Sequence, residues 1–548
     1  MNQPESPILS VDQNCNSLWD VPPKLHALEA GGYHCVQYVE DVDVAFTKVG
    51  AGYMSADLRI ERERYYRTGA GDWGAGLFYS EFLGKLAVDP RQWEPLTGMT
   101  TRALARSLRM TVDEFYDRYS PGDNWQLVGS SYVGDSTHHR VLGDITCREV
   151  SDHLARLMEL ARADMRRAFP GRQSQAVLDQ WWASQNSLAA ALMERHKDGR
   201  LTDLYRDWLD SCRQRNGAPA DVSSNIFALG ANADQLALLE IFTKDYHTAA
   251  ELYNEALAQT QSQLHPLDVE AGELPFFAVF SHKGHMVRSQ VFLRDRRLHL
   301  PLKAVSLGPG GRIPVDSLQA LGVQCLVGKA VLLMLQVRVG PTGGALALPH
   351  RGSLYSPAAQ RLEMLLKQAG MLKSHVWPII RVRLRLLDRL REVDTPIALG
   401  DHLAGFFGDN VIPANTLGER WSQIQSDAAW SIRQLASQRS RDQWRAEAFP
   451  ELTAEINSLD ATRRRLAANN ADAPQMREVW KKMKPPLETL NRLTVERIQR
   501  DWQLRDLDYW DSRGAILPWC LALGGEQFYQ RVIRGAQIYE EQPPGQDV

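Results

Sequence analysis

The stretch of the chain with the most chemical potential is PHRGSLYSP, at residues 349–357. It follows the apolar run ALAL and places His350, Arg351, Ser353 and Tyr355 within six residues. Histidine exchanges protons near neutral pH, and the planar guanidinium group of arginine binds carboxylate or phosphate through two parallel hydrogen bonds. We therefore predict an anion-binding site, with His350 and Ser353 as catalytic residues and with Arg351 and Tyr355 in contact with the substrate.

Two elements must position this site. The run ALAL is typical of a buried strand, and AAQRLEMLLKQAG is typical of a helix that begins near Ser356-Pro357 and ends at Gly370. Ligands of open α/β sheets bind beyond the carboxyl ends of the strands, and helix N-termini attract anions. The alternative is an ordinary strand–helix connection whose polar side chains are solvated.

A second run of arginines, IIRVRLRLLDRLR, allows two interpretations. In a strand, Arg381, Arg383 and Arg385 share one face, and their charges repel unless an anion or carboxylates lie over them. In a helix, the same side chains spread into solvent. In the strand interpretation, we predict that Arg381 and Arg383 approach the substrate from a neighbouring strand.

The segment GVQCLVGKA resembles a phosphate-binding loop but departs from its pattern. G-x-x-x-x-G-K-[ST] needs four residues between the glycines and a hydroxyl after the lysine. Here five residues separate Gly322 from Gly328, and Ala330 follows Lys329. The intervening residues are apolar, so we predict a buried strand, a tight turn and a buried helix, without bound nucleotide.

Two further glycine-rich stretches contain residues that could bind an anion or a nucleotide. Gly69, Gly71 and Gly74 satisfy G-x-G-x-x-G, but they follow a densely charged segment instead of the buried strand that dinucleotide binding requires. We interpret them as a turn. The stretch SLGPGGR, at residues 306–312, is typical of a surface loop, although its glycines would let an anion approach closely. No cofactor is therefore assigned.

Histidines and cysteines do not form a recognisable metal motif. The chain has neither an H-E-x-x-H nor a C-x-x-C pattern. Two groups of polar residues contain possible metal ligands, and we interpret both as turns: Asp135, His138, His139, Asp144, Glu149 and His153 form the first, and His282, Lys283 and His285 form the second. We predict no metal site.

Composition and charge set the class of protein. The 548 residues include 63 basic and 66 acidic side chains, for a net charge of −3. This balance gives no general attraction to nucleic acid or to an anionic membrane, although it is compatible with a local charged patch. The sequence shows no secretory signal and no apolar segment of about 20 residues. Its six cysteines are scattered, so we expect a soluble cytoplasmic protein without nucleic-acid or membrane partners.

The pattern of elements predicts an α/β fold, with a mixed α+β core, a β-meander insert and a long antiparallel helical hairpin. Pro485-Pro486 is expected to kink or interrupt the second helix of the hairpin. The predicted regions are a mixed N-terminal part (1–145), a helical part (146–265), the meander (266–305), a β/α part (306–415), the hairpin (416–510) and a tail that packs on the core (511–548).

The end of the chain, LDYWDSRGAILPWCLALGGEQFYQRVI, resembles the tail of the cysteine-adding ligases of bacillithiol synthesis. Leu517, Pro518, Gly524 and Phe528 carry this resemblance. It implies a Rossmann-like core with two smaller inserts and a coiled-coil arm that forms a homodimer. The N-terminal half lacks the glycine-rich signatures of that family, so no catalytic residue is carried over.

Two functions from different classes remain open at this point. The first is a biosynthetic enzyme, a ligase or transferase, that acts on an anionic small molecule at the PHRGS loop. The second is a non-catalytic scaffold that assembles through its helical hairpin. An exposed apolar seam on the hairpin, without a deep polar pocket elsewhere, would favour the scaffold.

Overall fold

The structure is a computed structural model that describes residues 7–12, 18–43, 80–84, 86, 88–120, 139–213, 218–262, 264–301, 303–353, 355–469 and 472–543. The G-x-G-x-x-G glycines lie outside these residues, as do Asp135 and His138. Over the ranges just given, no helix is both long and apolar enough to cross a membrane. The fold is mixed α/β, as the sequence predicted.

The strands form two larger sheets and one short antiparallel pair. Their bounds are β1 Ile8–Asp12, β2 Cys35–Val39, β3 His139–Arg140, β4 Asp221–Val222, β5 Glu273–His282, β6 His285–Arg294, β7 Arg297–His299, β8 Ala304–Ser306, β9 Val323–Gly328, β10 Ala345–Pro349, β11 Ile379–Arg383, β12 Pro396–Ala398, β13 Val411–Pro413 and β14 Gln537–Glu540.

Helices connect and cover these strands. Numbered along the described residues, they are α1 Val21–Ala30, α2 Trp93–Thr97, α3 Thr101–Ser107, α4 Val112–Tyr119, α5 Cys147–Ala168, α6 Arg172–Arg195, α7 Leu201–Cys212, α8 Ser223–Phe227, α9 Ala233–Lys244, α10 Tyr246–Gln259, α11 Val315–Ala320, α12 Ala330–Arg338, α13 Ser356–Gln368, α14 Leu386–Arg389, α15 Asp401–Ala404, α16 Ala414–Arg433, α17 Gln438–Ala448, α18 Pro450–Ala468, α19 Ala473–Leu504 and α20 Ile516–Arg534.

The first sheet has the strand order β14-β11-β10-β1-β2-β4 and is parallel except for β14. From β1 the chain continues to β2 on one side, whereas from β10 it continues to β11 on the other side. The strand order therefore reverses between β1 and β10. Ligands of open α/β sheets bind outside the carboxyl ends of the strands at such a reversal.

Helices cover both faces of this sheet. Ile8, Cys35 and Ala345 point to one face and pack in a cluster with α1, α6 and α20. Leu9 and Leu346 point to the other face and pack in a second apolar cluster with α12 and α13. Because both faces are buried, the strands are apolar on both sides, as parallel sheets require.

The first sheet unites segments that are distant in sequence. β1 and β2 come from region 1–145, β4 from region 146–265, β10 and β11 from region 306–415, and β14 from the tail. Parallel pairing needs long crossover connections, so neighbours in the sheet are far apart along the chain. The predicted regions are therefore stretches of sequence that contribute to a common sheet.

The second sheet is antiparallel, with the order β8-β7-β6-β5-β9 and with β3 on β6. One face carries Phe276 and Val291 and packs in the second apolar cluster. Because side chains alternate along a strand, Phe277 and Phe292 lie on the opposite, outer face. At its edge, β9 and α12 are the buried strand and buried helix predicted around Gly328-Lys329.

Residues 414–504 form four helices, α16 to α19. The C-terminal half of α19 packs with α16 and α17 in a third apolar cluster that includes Ile432, Trp444 and Trp502. The N-terminal half of α19 contacts α18, which buries none of its residues. These two segments therefore project from the part of the molecule that holds the core.

Two details of this region differ from the sequence prediction. The polar, charged stretch 458–475 is typical of a break between helices, yet α18 continues through it to Ala468 because Leu459 and Leu466 are half-buried on one face. Pro485-Pro486 was expected to kink or interrupt the second helix, yet α19 runs through it as one helix. Pro486 is buried, so packing offsets the cost of about 3 kcal/mol that a proline imposes within a helix.

Candidate active site at the carboxyl edge of the parallel sheet

The structure places His350 and Arg351 directly after β10, at the reversal of the strand order. The amide of His350 donates a hydrogen bond to the carbonyl oxygen of Val382 at 2.8 Å, which extends the pairing with β11 by one residue. Gly352 closes the turn through its amide, which donates to Pro349. The two side chains thus begin on a fixed backbone at the edge of the sheet.

The imidazole of His350 lies between a phenol and a carboxylate. Its Nδ1 atom is 2.7 Å from the hydroxyl of Tyr539, and its Nε2 atom is 3.3 Å from Oδ2 of Asp508. Tyr539 belongs to the edge strand β14, and burial raises the pKa of its hydroxyl. The three side chains form a chain of hydrogen-bonding groups that can pass a proton.

Asp508 is the centre of the charge arrangement. Its Oδ2 atom accepts a hydrogen bond from Nε of Arg351 at 2.9 Å, and its Oδ1 atom accepts one from Nε2 of Gln425 at 2.8 Å. Burial alone raises the pKa of Asp508, but the hydrogen bonds from His350 and Arg351 outweigh it and lower the pKa to about 2. Asp508 is therefore ionised throughout the neutral range.

Arg351 remains accessible although it is paired. Its side chain is 44% exposed, whereas that of Asp508 is 10% exposed. A second carboxylate, Asp506, lies 3.9 Å from its Nη2 atom. Because a guanidinium group has five N–H donors, Arg351 keeps donors that face solvent and can bind an added anion.

Arg381 is buried and fully engaged. Its Nε atom donates to Oε2 of Glu541 at 2.7 Å, and its Nη2 atom donates to the hydroxyl of Ser356 at 2.6 Å. Its Nη1 atom donates to the carbonyl oxygens of Pro349 and Gly352. Arg381 therefore fixes the loop that carries His350 and Arg351, and the Glu541 carboxylate lies at the start of α13, where we predicted that an anion would bind.

Arg383 is paired in the same way. Its Nε atom donates to Oδ2 of Asp511 at 2.9 Å, and the other oxygen of Asp511 accepts from the amide of Leu387 at 2.8 Å. Burial raises the pKa of Asp511, and these hydrogen bonds oppose that increase. Arg385 has a φ of +59°, so it leaves the strand and pairs with Asp388.

The structure therefore decides between the strand and the helix interpretation of this arginine run. Residues 379–383 form a strand, Arg381 and Arg383 share one face, and carboxylates lie over both guanidinium groups. These carboxylates come from the segment after α19 and from the segment after β14. The structure therefore uses the two arginines to hold the C-terminal part of the chain on the sheet.

Ser353 and Tyr355 lie apart from the group around His350. The hydroxyl of Ser353 is 3.6 Å from the sulfur atom of Met334, and its φ is +50°. Tyr355 precedes the first residue of α13 and packs against the second apolar cluster. Pro357 in the first turn and Gly370, with φ +67°, confirm the predicted start and end of this helix.

Sequence reasoning missed four members of the group: Gln425, Asp508, Tyr539 and Glu541. All of them lie far from residue 350 along the chain, so local patterns do not connect them. A weak signal existed in QIYEE, because Tyr539 and Glu541 are two residues apart and would share one face of a strand. Nothing in that pattern identified Arg381 as the residue opposite.

Two stretches that the sequence predicts to be a turn or a buried strand have internal partners. Lys329 pairs with Glu273, so its ammonium group is engaged at the turn after β9. The imidazole of His285 lies 2.9 Å from the buried carboxylate of Asp144, which also pairs with Arg140. In the part of the chain that the structure describes, no group of three or more His, Cys, Asp or Glu side chains is arranged to hold a metal ion.

Comparisons with known proteins give no match: no family model, no curated protein and no solved structure resembles the chain significantly. The chemistry of the site can nevertheless be stated from its groups. Arg351 offers exposed donors for a carboxylate or phosphate. His350, oriented by Asp508 and Tyr539, offers a group that can exchange a proton beside that anion.

Proposed function

We propose that the chain is a cytoplasmic biosynthetic enzyme, a ligase or transferase, that acts on an anionic small molecule. The observation that carries this proposal is the half-exposed guanidinium group of Arg351 beside an imidazole held from both sides. Their position at the reversal of the strand order also supports it, since ligands of this sheet type bind there.

In this proposal, Arg351 binds the carboxylate or phosphate of the substrate through its solvent-facing N–H groups. His350 accepts or donates the proton of the reacting group, and Asp508 orients the imidazole. The carboxylate of Glu541 already occupies the anion position at the start of α13. We therefore place the anionic group of the substrate on Arg351 instead. Ser353 would approach the substrate only after its hydroxyl turns away from Met334.

The reaction class comes from the resemblance to bacillithiol ligases. Of the residues that carry it, Pro518 and Phe528 are buried in α20, and Gly524 lies where that helix breaks. A Cβ atom at Gly524 would lie 2.8 Å from Cβ of Phe528, so glycine is required for this packing. A cysteine-dependent gain in mass of an anionic acceptor, measured by mass spectrometry, would establish the reaction class.

Ligand binding tests the site directly. Carboxylate and phosphate metabolites would be screened by thermal shift against the wild type and Arg351→Ala. Removal of one partner of a desolvated charge pair typically costs about 2–5 kcal/mol, so the variant should bind its ligands about thirtyfold more weakly or worse. Arg148→Ala is the matched control, because Arg148 is an exposed arginine paired with Asp198.

Ligands that stabilise Arg351→Ala, Arg148→Ala and the wild type equally would refute this placement of the site. If the two variants differ as expected, His350→Asn should keep ligand binding while any turnover found by mass spectrometry is lost. Loss of binding in that variant would instead assign His350 to ligand binding alone.

The structure also favours a second candidate function, a scaffold that assembles through its helices. The pair α18 and α19 is proposed to act as an antiparallel hairpin, and we propose that it joins two copies of the chain. No residue of α18 is buried, and Trp480 of α19 is 50% exposed. Isolated helical hairpins are marginal in water, so an uncovered apolar face favours a partner.

A deletion separates the two functions. Replacing residues 457–484 with a short glycine-serine turn removes the projecting segment and leaves Gln425 and Asp508 in place. If the scaffold interpretation holds, the mass in solution falls to that of one copy. An unchanged mass, together with unchanged ligand binding, would remove the scaffold from consideration and leave the enzyme.

A further inference from the structure

A group of arginines lies on the second sheet, away from the site described above. Arg294 ends β6 and Arg297 begins β7, and the two are directly opposite each other in the register. Between them, Asp295 and Arg296 form a tight turn in which both residues have positive φ, +48° and +55°. Side chains directly opposite in a hairpin are about 5 Å apart at Cβ, where like charges destabilise the pair.

A fourth arginine adjoins this turn. The amide of Leu307 donates to the carbonyl oxygen of Arg296, and the amide of Gly308 donates to that of Arg312, both at 2.9 Å. Gly310 lies between Gly308 and Arg312 and has a φ of +68°. An added Cβ atom there would have nothing within 4 Å, so the surface is open at this point. We call Arg294, Arg296, Arg297 and Arg312 the arginine cluster; all four are exposed.

The cluster is not neutralised. Within the part of the chain that the structure describes, none of its four members forms an ion pair, and Arg294 and Arg297 donate only to the backbone carbonyl oxygens of Ala271 and Ala304. Asp295, the carboxylate of the turn itself, pairs with none of them. The cluster therefore holds mutual repulsion that an external anion would relieve.

Two other pairs of neighbouring arginines are neutralised by carboxylates. Arg463 and Arg464 share the carboxylate of Asp460 on α18. Arg162 and Arg166 of α5 share Asp179 of α6 in the same way. The arginine cluster differs from these two pairs, because no described carboxylate is paired with it.

The aromatic ring beside the cluster indicates the kind of anion. The guanidinium carbon of Arg294 lies 5.4 Å from the centre of the Phe292 ring. Phe292 lies on the outer face of the sheet, whereas the Phe277 ring is already covered by Arg288, which is paired with Asp43. Nucleic-acid bases stack on aromatic rings and on guanidinium planes, whereas the carboxylate side chains of acidic peptides do not stack in this way.

We propose that the arginine cluster and the outer face of the second sheet bind single-stranded nucleic acid. The cluster contacts phosphates, and a base stacks against Phe292 beside Arg294. Gly310, which has open space around it, lets the strand approach the backbone closely. The net charge of −3 weakens only the general attraction of the whole protein to nucleic acid. Within a Debye length of about 10 Å, the charge of the local patch determines the contact.

Fluorescence anisotropy with labelled oligo(dT) and oligo(U), on the full chain at several salt concentrations, tests this proposal. For single strands, log K falls with log salt with a slope of about −0.7 per phosphate contacted, so four contacts give a slope near −3. Arg294→Ala with Arg297→Ala should reduce the slope to about −1.5 and weaken binding about tenfold or more.

The control is the double variant Arg148→Ala with Arg195→Ala, which removes the same charge from exposed arginines that are paired with carboxylates. It should bind oligonucleotides as the wild type does. Absence of binding at 50 mM salt, or an equal loss in both double variants, would overturn the proposal.

Competition experiments distinguish nucleic acid from other anions as the ligand of this surface. Inorganic phosphate at millimolar concentration should displace little oligonucleotide, because it engages one contact at a time. If polyglutamate displaces the oligonucleotide more effectively than unlabelled oligo(dT) does at equal charge, the surface binds an acidic protein segment and the nucleic-acid proposal fails. Because Arg351 lies in the other sheet, Arg351→Ala should leave oligonucleotide binding unchanged, whatever becomes of the proposed enzyme function.

Discussion

Replacement of Asp508 by asparagine tests the electrostatic basis of the candidate active site. Asparagine keeps the shape of the side chain and its hydrogen bond from Gln425, but it removes the charge that Arg351 and His350 face. The pKa of Asp508 is about 2, compared with an ordinary value of 3.8. At 1.36 kcal/mol for each pKa unit, the ionised form contributes about 2 kcal/mol to local stability.

The pH dependence follows from the direction of the shift. The folded-state pKa lies below the unfolded one, so the contribution is complete above about pH 5, falls to roughly half near pH 3 and disappears below pH 2. Asp508→Asn should therefore differ most from the wild type at pH 7, and the difference should shrink by about half at pH 3.

Hydrogen exchange measured on the peptide around residues 505–513 reports this local stability. A loss of about 2 kcal/mol corresponds to roughly thirtyfold faster exchange at pH 7, after correction for intrinsic rates. The matched control is Asp506→Asn, because Asp506 lies 3.9 Å from Arg351 and is more exposed; it should change exchange less than threefold. Equal effects of the two variants, or an effect of Asp508→Asn that is the same at pH 3 and pH 7, would refute the reasoning.

Three further predictions concern the framework of the fold. Arg381→Met leaves the largely buried carboxylate of Glu541 without its ion-pair partner and with only the hydroxyl of Ser356, so it should destabilise the protein by about 3 kcal/mol, and Glu541→Gln in the same chain should recover part of the lost melting temperature. Gly328→Ala places a methyl group against the backbone nitrogen of Leu333, so the melting temperature should fall; an unchanged value would mean that α12 shifts without strain. Lys329→Met should leave any nucleotide affinity measured by calorimetry unaltered, because the loop has no phosphate cradle; a large loss with the fold intact would restore the phosphate-loop interpretation.

The sequence predicted the parts of the fold that local patterns encode. The strand before Pro349, the helix that ends before Gly370, and the buried strand and helix on either side of Lys329 all follow from apolar runs and turn residues. The α/β class follows from their order. These features depend on neighbours within about 20 residues, which a single sequence displays.

The parts that failed depend on contacts between distant segments. Pro485-Pro486 predicted an interruption because the low helix propensity of proline is a local property. The packing of the surrounding residues nevertheless keeps α19 as one helix. The loop at His350 was located correctly at a strand end, but its partners Asp508 and Tyr539 lie more than 150 residues away. Ser353 was grouped with His350 by proximity in sequence, yet a backbone with positive φ turns its hydroxyl towards another residue.

The topology of the parallel sheet has a consequence for how the chain is made. β1 is a central strand, but its neighbour β10 follows about 340 residues later, at Ala345. At a synthesis rate of about 5–20 residues per second, the nascent chain carries one unpaired edge of β1 for roughly 17–70 s. An open strand edge readily pairs with other chains. The interval between translation of β1 and of β10 is therefore the period in which we expect this protein to depend most on chaperones, and synonymous codons that slow translation between them should lower its soluble yield.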